Sequence, residues 1–388
     1  MKIRSARPRR VGQFLFVEII TDNDIRGFGE SGAWGHLEAS EAALQKYCDY
    51  LIGQDPRRIE RHWQIMHRFA HFNGAAVGGA ISAVDIALWD IKAKSYNAPL
   101  YDVLGGAVRD KLRVYAHVYA KTVDEVADFA REKAQEGFTA LGHLNPFLDE
   151  PEDQPYFLGQ SGLVEMGMET VRRCREAAGP NVDLMLELHR RLTPAEAIAF
   201  AREAAEYRPG WLEDPIRPEN IDAMAEVAAK SPVPIATGER YFNIYQFKMA
   251  IERRALSFAR VSVGVCGGIT GALKVAAIAE ANDVKVAPHN PISPIGVAAC
   301  SAIGFARDNV HIQEYPTGYD NMVLESTPEL LGQAVVDGRF TIEHGFMQRI
   351  DDRKGLGIEL RDDAEEIRPP ITRAVSMRRH LDGGVVDQ

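Results

Sequence analysis

Cysteine is scarce in this chain: Cys48, Cys174, Cys266 and Cys300 are its four, and no two of them form a CxxC or Cys/His group. That spacing argues against a disulfide framework and for reduced thiols in a cytoplasmic protein. Long apolar runs are missing too, so no segment reads as a membrane span. The amino-terminal MKIRSARPRRVGQ is basic but is not followed by an apolar stretch ending in small residues, and it does not read as a secretion signal. A basic surplus is absent, with 45 Lys and Arg against 55 Asp and Glu and a net charge of −10. This balance disfavours nucleic acid or an anionic membrane as the main partner, and an anionic substrate would need local help from a metal or an arginine. No serine-hydrolase elbow, P-loop or dinucleotide fingerprint occurs. Gly264, Gly267 and Gly268 in SVGVCGGITG miss the GxGxxG spacing and read as tight turns.

What is present is an ordinary globular composition, 46% hydrophobic and 26% charged, in a chain whose 388 residues exceed one comfortable core. Residues 1–110 read as an α+β domain. FLFVEIITD and GFGESG are strands around a turn at Asn23-Asp24, residues 38–53 and 57–70 carry helical spacing, and AAVGGAISAVDIALWDIKAKSYNAPL is one long helix stopped near Asn97 and Pro99. From KLRVYAHVYA the pattern becomes short apolar strands alternating with amphipathic helices. Strand ends fall near Tyr119, Asn145, His189, Pro215, Glu239, Gly264, Asn290 and Pro316, and eight such units are the count of a closed α/β barrel. A closed α/β barrel following an α+β domain is therefore the expected architecture, with an open doubly wound sheet as the alternative, and residues 317–388 lose the rhythm. Residues 146–162 form a long polar loop after the second strand, a length typical of lids.

Three carboxylates stand at a constant interval of 26 residues: Glu187 in LMLELH, Glu213 in GWLEDP and Glu239 in PIATGE. The interval suits one strand plus one helix, so the three acids should converge on one rim of the barrel. Converging acids repel one another, and an oxygen-only donor set is what a hard divalent cation such as Mg²⁺ requires. His189 lies two residues past Glu187, on the same strand face, where a general acid would stand. His289 ends the seventh strand, and Asn290-Pro291 turns the chain after it, so a second imidazole should face the first across the rim. Glu314 at the end of the eighth strand could take substrate hydroxyls or hold His289, and Arg240 could bind a carboxylate through its planar fork. His143, after the second strand, and Tyr156 in the loop are weaker substrate-binding candidates.

The segments ISAVDIALWDIKAK, LGGAVRDKLRVYAH, ELHRRLTP, WLEDPIRPEN, TGERYF, GVCGGITG, APHNPISPIGVAAC and IQEYP together resemble the enolase superfamily, and in particular the acid-sugar dehydratases of its mandelate racemase branch, such as those acting on galactonate, gluconate and mannonate. The resemblance covers almost the whole chain and implies a modified (β/α)8 TIM-type barrel over residues 111–345, with residues 1–110 as an α+β capping domain and residues 346–388 packing back on the cap. It implies that Glu187, Glu213 and Glu239 ligate Mg²⁺, that His289 removes the proton α to the carboxylate of an aldonate, and that His189 protonates the departing 3-hydroxyl to leave a 2-keto-3-deoxy acid. It also implies a homo-oligomer of symmetric form. Two positions depart from the pattern: Glu187 stands where these dehydratases typically carry Asp, and Ser262 stands where an Asp often orients the base histidine. A racemase or epimerase of the same superfamily is an alternative, although the second strand ends in Gly142 and His143 rather than the lysine such enzymes use. A metal-binding homologue with little catalysis is another.

Overall fold

The computed structural model describes residues 1–118, 120–148, 159–317, 329–375 and 378–386. The strand end expected at Tyr119, and Tyr156 with most of its loop, lie outside the described residues. The cap begins with an antiparallel sheet of three strands, β1 (Ile3–Val11), β2 (Phe14–Thr21) and β3 (Arg26–Ser31). The strand β1 had no counterpart in the sequence reading, because Arg4, Arg7, Arg9, Arg10 and Pro8 disguise its alternation. Its arginines are tolerated because Arg7 pairs with Glu18 and the buried Arg9 with Glu365.

Three helices follow: α1 (Leu37–Leu51), α2 (Ile59–Arg68) and α3 (Ala75–Ser95). The chain leaves α3 through Asn97, which takes a left-handed backbone conformation (φ 57°) that asparagine accepts more readily than most residues. Helix α3 is buried on nearly every side, and β3 lies directly on it. A Cβ on Gly29 would stand 1.9 Å from the Ala83 carbonyl oxygen, so only glycine permits this approach.

A short helix, α4 (Leu100–Val103), leads into the barrel. Its strands and helices alternate as β4 (Lys111–His117), α5 (Val123–Gln135), β5 (Ala140–Leu144), α6 (Gln160–Ala178), β6 (Asp183–Glu187), α7 (Pro194–Ala204), β7 (Trp211–Glu213), α8 (Ile221–Lys230), β8 (Ile235–Thr237), α9 (Ile244–Glu252), β9 (Phe258–Ala259), α10 (Gly268–Glu280), β10 (Lys285–Val286), α11 (Pro294–Ala306) and β11 (Gln313–Tyr315). Neighbouring strands β4 to β10 pair in parallel, β11 pairs with β4, and a bridge between Val286 and Val310 closes the circle. Helix starts are set locally. Thr122 with Glu125 and Thr193 with Glu196 form reciprocal capping boxes, and Pro194 occupies the first turn of α7, where its missing N–H costs nothing.

The period of two along each strand sorts side chains between layers. Leu184, Leu186 and Leu212 pack outward in the core shared with the helices, whereas Tyr115, Met185, Trp211 and Ile312 fill the barrel interior. Glu187 and Glu213 follow Met185 and Trp211 by two residues, which carries both acids to the barrel mouth.

After the barrel, β12 (Val336–Asp337), β13 (Ile342–Glu343), β14 (Phe346–Gln348) and β15 (Glu359–Leu360) form two small pairings. The β13–β14 hairpin adds antiparallel to β4, so the boundary drawn at residue 345 falls inside a unit attached to the barrel. Residues beyond it meet the cap: α12 (Ala364–Ile367) supplies Glu365 to Arg9, Asp362 pairs with Arg26 at 2.6 Å, and Gly12 exchanges backbone hydrogen bonds with Arg368 and Ile371. No helix among the described residues is long and apolar enough to cross a membrane. Gly29→Ala should lower stability by about 1–3 kcal/mol, the usual cost of forcing a methyl into filled space, and a fall in the urea midpoint at an unchanged slope would show it.

Candidate active site

At the mouth the three acids meet. Carboxylate oxygens of Glu187, Glu213 and Glu239 lie within 4.8 Å of one another, and the first two are buried. A second group, His143, Glu187 and His189, meets the same distance. One oxygen of Glu187 accepts the backbone N–H of His189 at 2.9 Å.

The acids do not ionise alike. Burial, then repulsion from Glu213 and Glu239, pushes Glu187 well above the usual carboxylate range. Burial lifts Glu213 to about 8 even though Arg260 opposes it. Glu239 is also pushed up by burial, but His289 and Arg190 outweigh that and hold it at about 2. Two of the three therefore resist carrying charge without a cation beside them.

Two arginines organise the cluster, and neither was singled out in the sequence. Arg190 reaches Glu239 at 2.7 Å and Asp214 at 3.2 Å. Arg260 is buried inside the barrel between the rings of Tyr115 and Trp211. Its Nε donates to Glu213, its Nη1 to the carbonyls of Ala287 (2.9 Å) and Pro288 (3.1 Å), and its Nη2 to the Tyr115 hydroxyl (2.8 Å) and Glu314 (2.7 Å). All five guanidinium hydrogens thus have an acceptor. A charged residue inside the apolar run FARVSV was the signal that could have found it. The candidate Arg240 is placed elsewhere: it is half exposed and pairs with Glu219 at 2.7 Å.

Four histidines border the acids. His189 Nε2 stands 3.9 Å from Glu187, and His289 Nε2 stands 3.2 Å from Glu239. Burial keeps both imidazoles below their ordinary pKa, His189 strongly so with His143 and Arg190 adding to the effect. Nδ1 of His289 is buried without a hydrogen-bond partner among the described residues, while Ser262 is its neighbour in strand register. His143 packs between His117 and His189, with ring centroids 5.1 and 4.9 Å away. His117, a strand-end histidine of the same kind as the other three, donates through Nε2 to Glu314 at 2.8 Å. Glu314 accepts from Arg260 and from the backbone N–H of Asn290 as well, which holds the turn behind His289. Its carboxyl sits well below the normal range, since Arg260 and His117 outweigh the effect of burial.

A cleft of about 60 Å³ lies between cap and barrel rim and reaches His117, Pro291 and Ile292 on the barrel side. It is not centred on the three acids. Its other walls come from the cap (Phe14, Trp34) and the tail (Ile371, Arg373).

The sequence matches the mandelate racemase / muconate lactonizing enzyme N-terminal domain over residues 5–105 and the enolase C-terminal domain-like family over residues 125–364. It is 34% identical over 397 aligned residues to D-galactonate dehydratase of Verminephrobacter eiseniae, covering 100% of both chains. To D-galactonate dehydratase of Cronobacter sakazakii it is 34% identical, covering 97% of this chain and 96% of that one. Among solved structures it is similar to an enolase from Pantoea ananatis with bound D-gluconate and magnesium (TM-score 0.88, 28% identity, 100% of both chains). It is also similar to an enolase from Agrobacterium radiobacter with bound sodium and L-malate (TM-score 0.91, 30% identity, 100% of both chains).

Removing the central arginine should strand buried acids. Arg260→Met is expected to cost about 3–5 kcal/mol in urea unfolding, and adding Glu314→Gln should recover part of that loss by removing one unpaired charge. An unchanged midpoint in Arg260→Met would show that Glu213 and Glu314 do not depend on it.

Proposed function

We infer the reaction from one premise: the chain belongs to the mandelate racemase / muconate lactonizing enzyme family of the enolase superfamily, whose relatives named above are acid-sugar dehydratases. The reading is a Mg²⁺-dependent hydro-lyase that removes water from an acid sugar, with aldonates the class those relatives name. One observation carries it: a cluster of three carboxylates, two of them buried, has an imidazole at each end, His189 beside Glu187 and His289 beside Glu239. A scaffold that only bound metal would need neither.

Glu187, Glu213 and Glu239 fit a hard cation. Their donors are all oxygen, they converge within 4.8 Å, and two of them resist ionising when no cation is beside them. When bound, Mg²⁺ supplies Lewis-acid stabilisation of the charge that develops on the substrate carboxylate as the α-proton leaves. His289, kept neutral by burial, accepts that proton. His189 delivers a proton to the departing 3-hydroxyl, and the negative charge brought by a carboxylate substrate favours the imidazolium it needs. Water leaves, and the resulting enol ketonises to a 2-keto-3-deoxy acid. Arg190 holds Glu239 in place, and Arg260 holds Glu213 together with the turn that carries His289.

Incubation with a panel of aldonates and aldarates in Mg²⁺, followed for 2-keto acid, tests the reading. His189→Asn should reduce dehydration by about 10²-fold or more while exchange of the α-proton with deuterium from solvent continues, and His289→Ala should abolish both. Exchange without elimination in the unaltered protein would favour a racemase, with His143 as second base. Neither signal with any acid sugar would overturn the assignment.

Metal binding itself should depend on pH. Glu187 lies well above its normal range and Glu213 at about 8, so Mg²⁺ must displace protons to bind. Affinity is expected to rise as pH increases through about 8, where Glu213 loses its proton. Calorimetry in buffers of different ionisation enthalpy should show more protons released at acidic pH than above 8, and a pH-independent affinity would contradict the ligand set.

A further inference from the structure

The cleft between cap and barrel carries an arginine with nothing to bind. The three other charged groups lining it, Arg10, Glu30 and Glu38, are engaged. Arg10 reaches Glu38 at 3.1 Å, Glu41 at 3.3 Å and the Ile371 carbonyl at 2.9 Å. Glu30 accepts from the Ser293 N–H at 3.1 Å, the Ser293 hydroxyl at 2.5 Å and the Gly296 N–H at 3.2 Å, at the start of α11. Arg373 differs. It is half-buried, its guanidinium carbon lies 4.3 Å from the centre of the Trp34 ring, and it makes no hydrogen bond or ion pair with any described residue. Burial draws its pKa down and no carboxylate pulls it back.

No guanidinium nitrogen of Arg373 is buried without a partner, so the group is open to the cleft. Stacking on Trp34 holds it there and leaves its edge for a ligand. The backbone beside it is tied down: Ile371 N–H donates to Gly12, Thr372 donates to Glu38 at 3.2 Å, and Arg10 holds the Ile371 carbonyl. The cleft also reaches His117, which bonds Glu314 and packs on His143 of the group His143, Glu187 and His189.

We propose that Arg373 is a specificity-determining residue that takes a second carboxylate of the substrate, so that the preferred acid sugar is a dicarboxylate held by the metal-binding acids at one end and by Arg373 at the other. The inference rests on the dehydratase reading and narrows its substrate class. An aldonate ends in a hydroxymethyl group, which offers the fork one neutral acceptor. The corresponding aldarate ends in a carboxylate, which offers two charged acceptors in the plane of the guanidinium.

Matched pairs that differ only at the terminal carbon, D-galactonate with galactarate and D-gluconate with glucarate, separate the possibilities. Binding is measured by calorimetry on the full chain in Mg²⁺, so it does not depend on turnover. In at least one pair the dicarboxylate should bind ten-fold tighter or more. Arg373→Met should shrink that preference at least ten-fold, and Arg373→Lys should recover part of it. Equal binding within both pairs overturns the proposal, as does binding of neither dicarboxylate. A loss in Arg373→Met that is the same for both members of a pair also overturns it, since that is what a purely structural role would give. If 6-phosphogluconate depends on Arg373 and glucarate does not, the carboxylate assignment is wrong. The dehydratase reading fails separately: selective binding of a dicarboxylate with no 2-keto acid formed supports Arg373 and sinks dehydration, whereas dehydration of aldonates alone does the reverse.

Discussion

The site depends on one buried cation. Arg260 has no solvent to fall back on, so the barrel must satisfy its five hydrogens internally, and the acceptors it finds are the parts that need placing. Glu213 is one, Glu314 another, and the carbonyls of Ala287 and Pro288 set the strand end just before His289. Trp211 adds a donor to the other oxygen of Glu213 at 3.1 Å. Buried ion pairs are weak sources of net stability, but they tie orientation to register, and here three separate strands are oriented by one planar group.

Strain collects where the acids do. His143, His189, Arg190 and Asp214 all have positive φ, at 48°, 45°, 65° and 39°, and none is glycine. Left-handed backbone in such residues is held in place only by surrounding contacts. Some of these contacts are visible: Arg190 N–H donates to the Asp214 carbonyl at 2.7 Å, Thr237 donates to the Asp214 carboxylate at 2.5 Å, and His189 N–H donates to Glu187. The same conformations tip side chains inward at the strand ends. Packing acids, histidines and Arg190 so closely gives the uneven ionisation seen across the cluster.

The cap is joined to the barrel by buried acids placed at helix starts. Glu30 serves the first turn of α11, and Asp85 accepts the Thr270 N–H of α10 at 2.9 Å. Ser82 accepts from Gly267 and Gly268 beside it. Burial lifts both carboxyls to about 7, so these joints hold against the desolvation that works on them. Because the cap is seated this way, Trp34 and the tail residue Arg373 become walls of the cleft that reaches His117 on the barrel rim.

The eight barrel strands, the helices between them and the convergence of Glu187, Glu213 and Glu239 were legible in the sequence, because alternation, helical spacing and a 26-residue interval are local properties that survive without contacts. The strand β1 was not legible, since its arginines are satisfied by Glu18 and by Glu365, more than three hundred residues away. Arg240 looked like a rim ligand from its place after Glu239, yet it is Arg190 that meets the acids, because a left-handed backbone at that residue turns the side chain where a period of two would not. The sequence alone thus determined which residues reach the mouth of a barrel. Only the tertiary structure decided which cation each acid faces, which imidazole nitrogen lacks a partner and which arginine is left over, because those partners come from strands, cap and tail that are distant in the chain and adjacent only after folding.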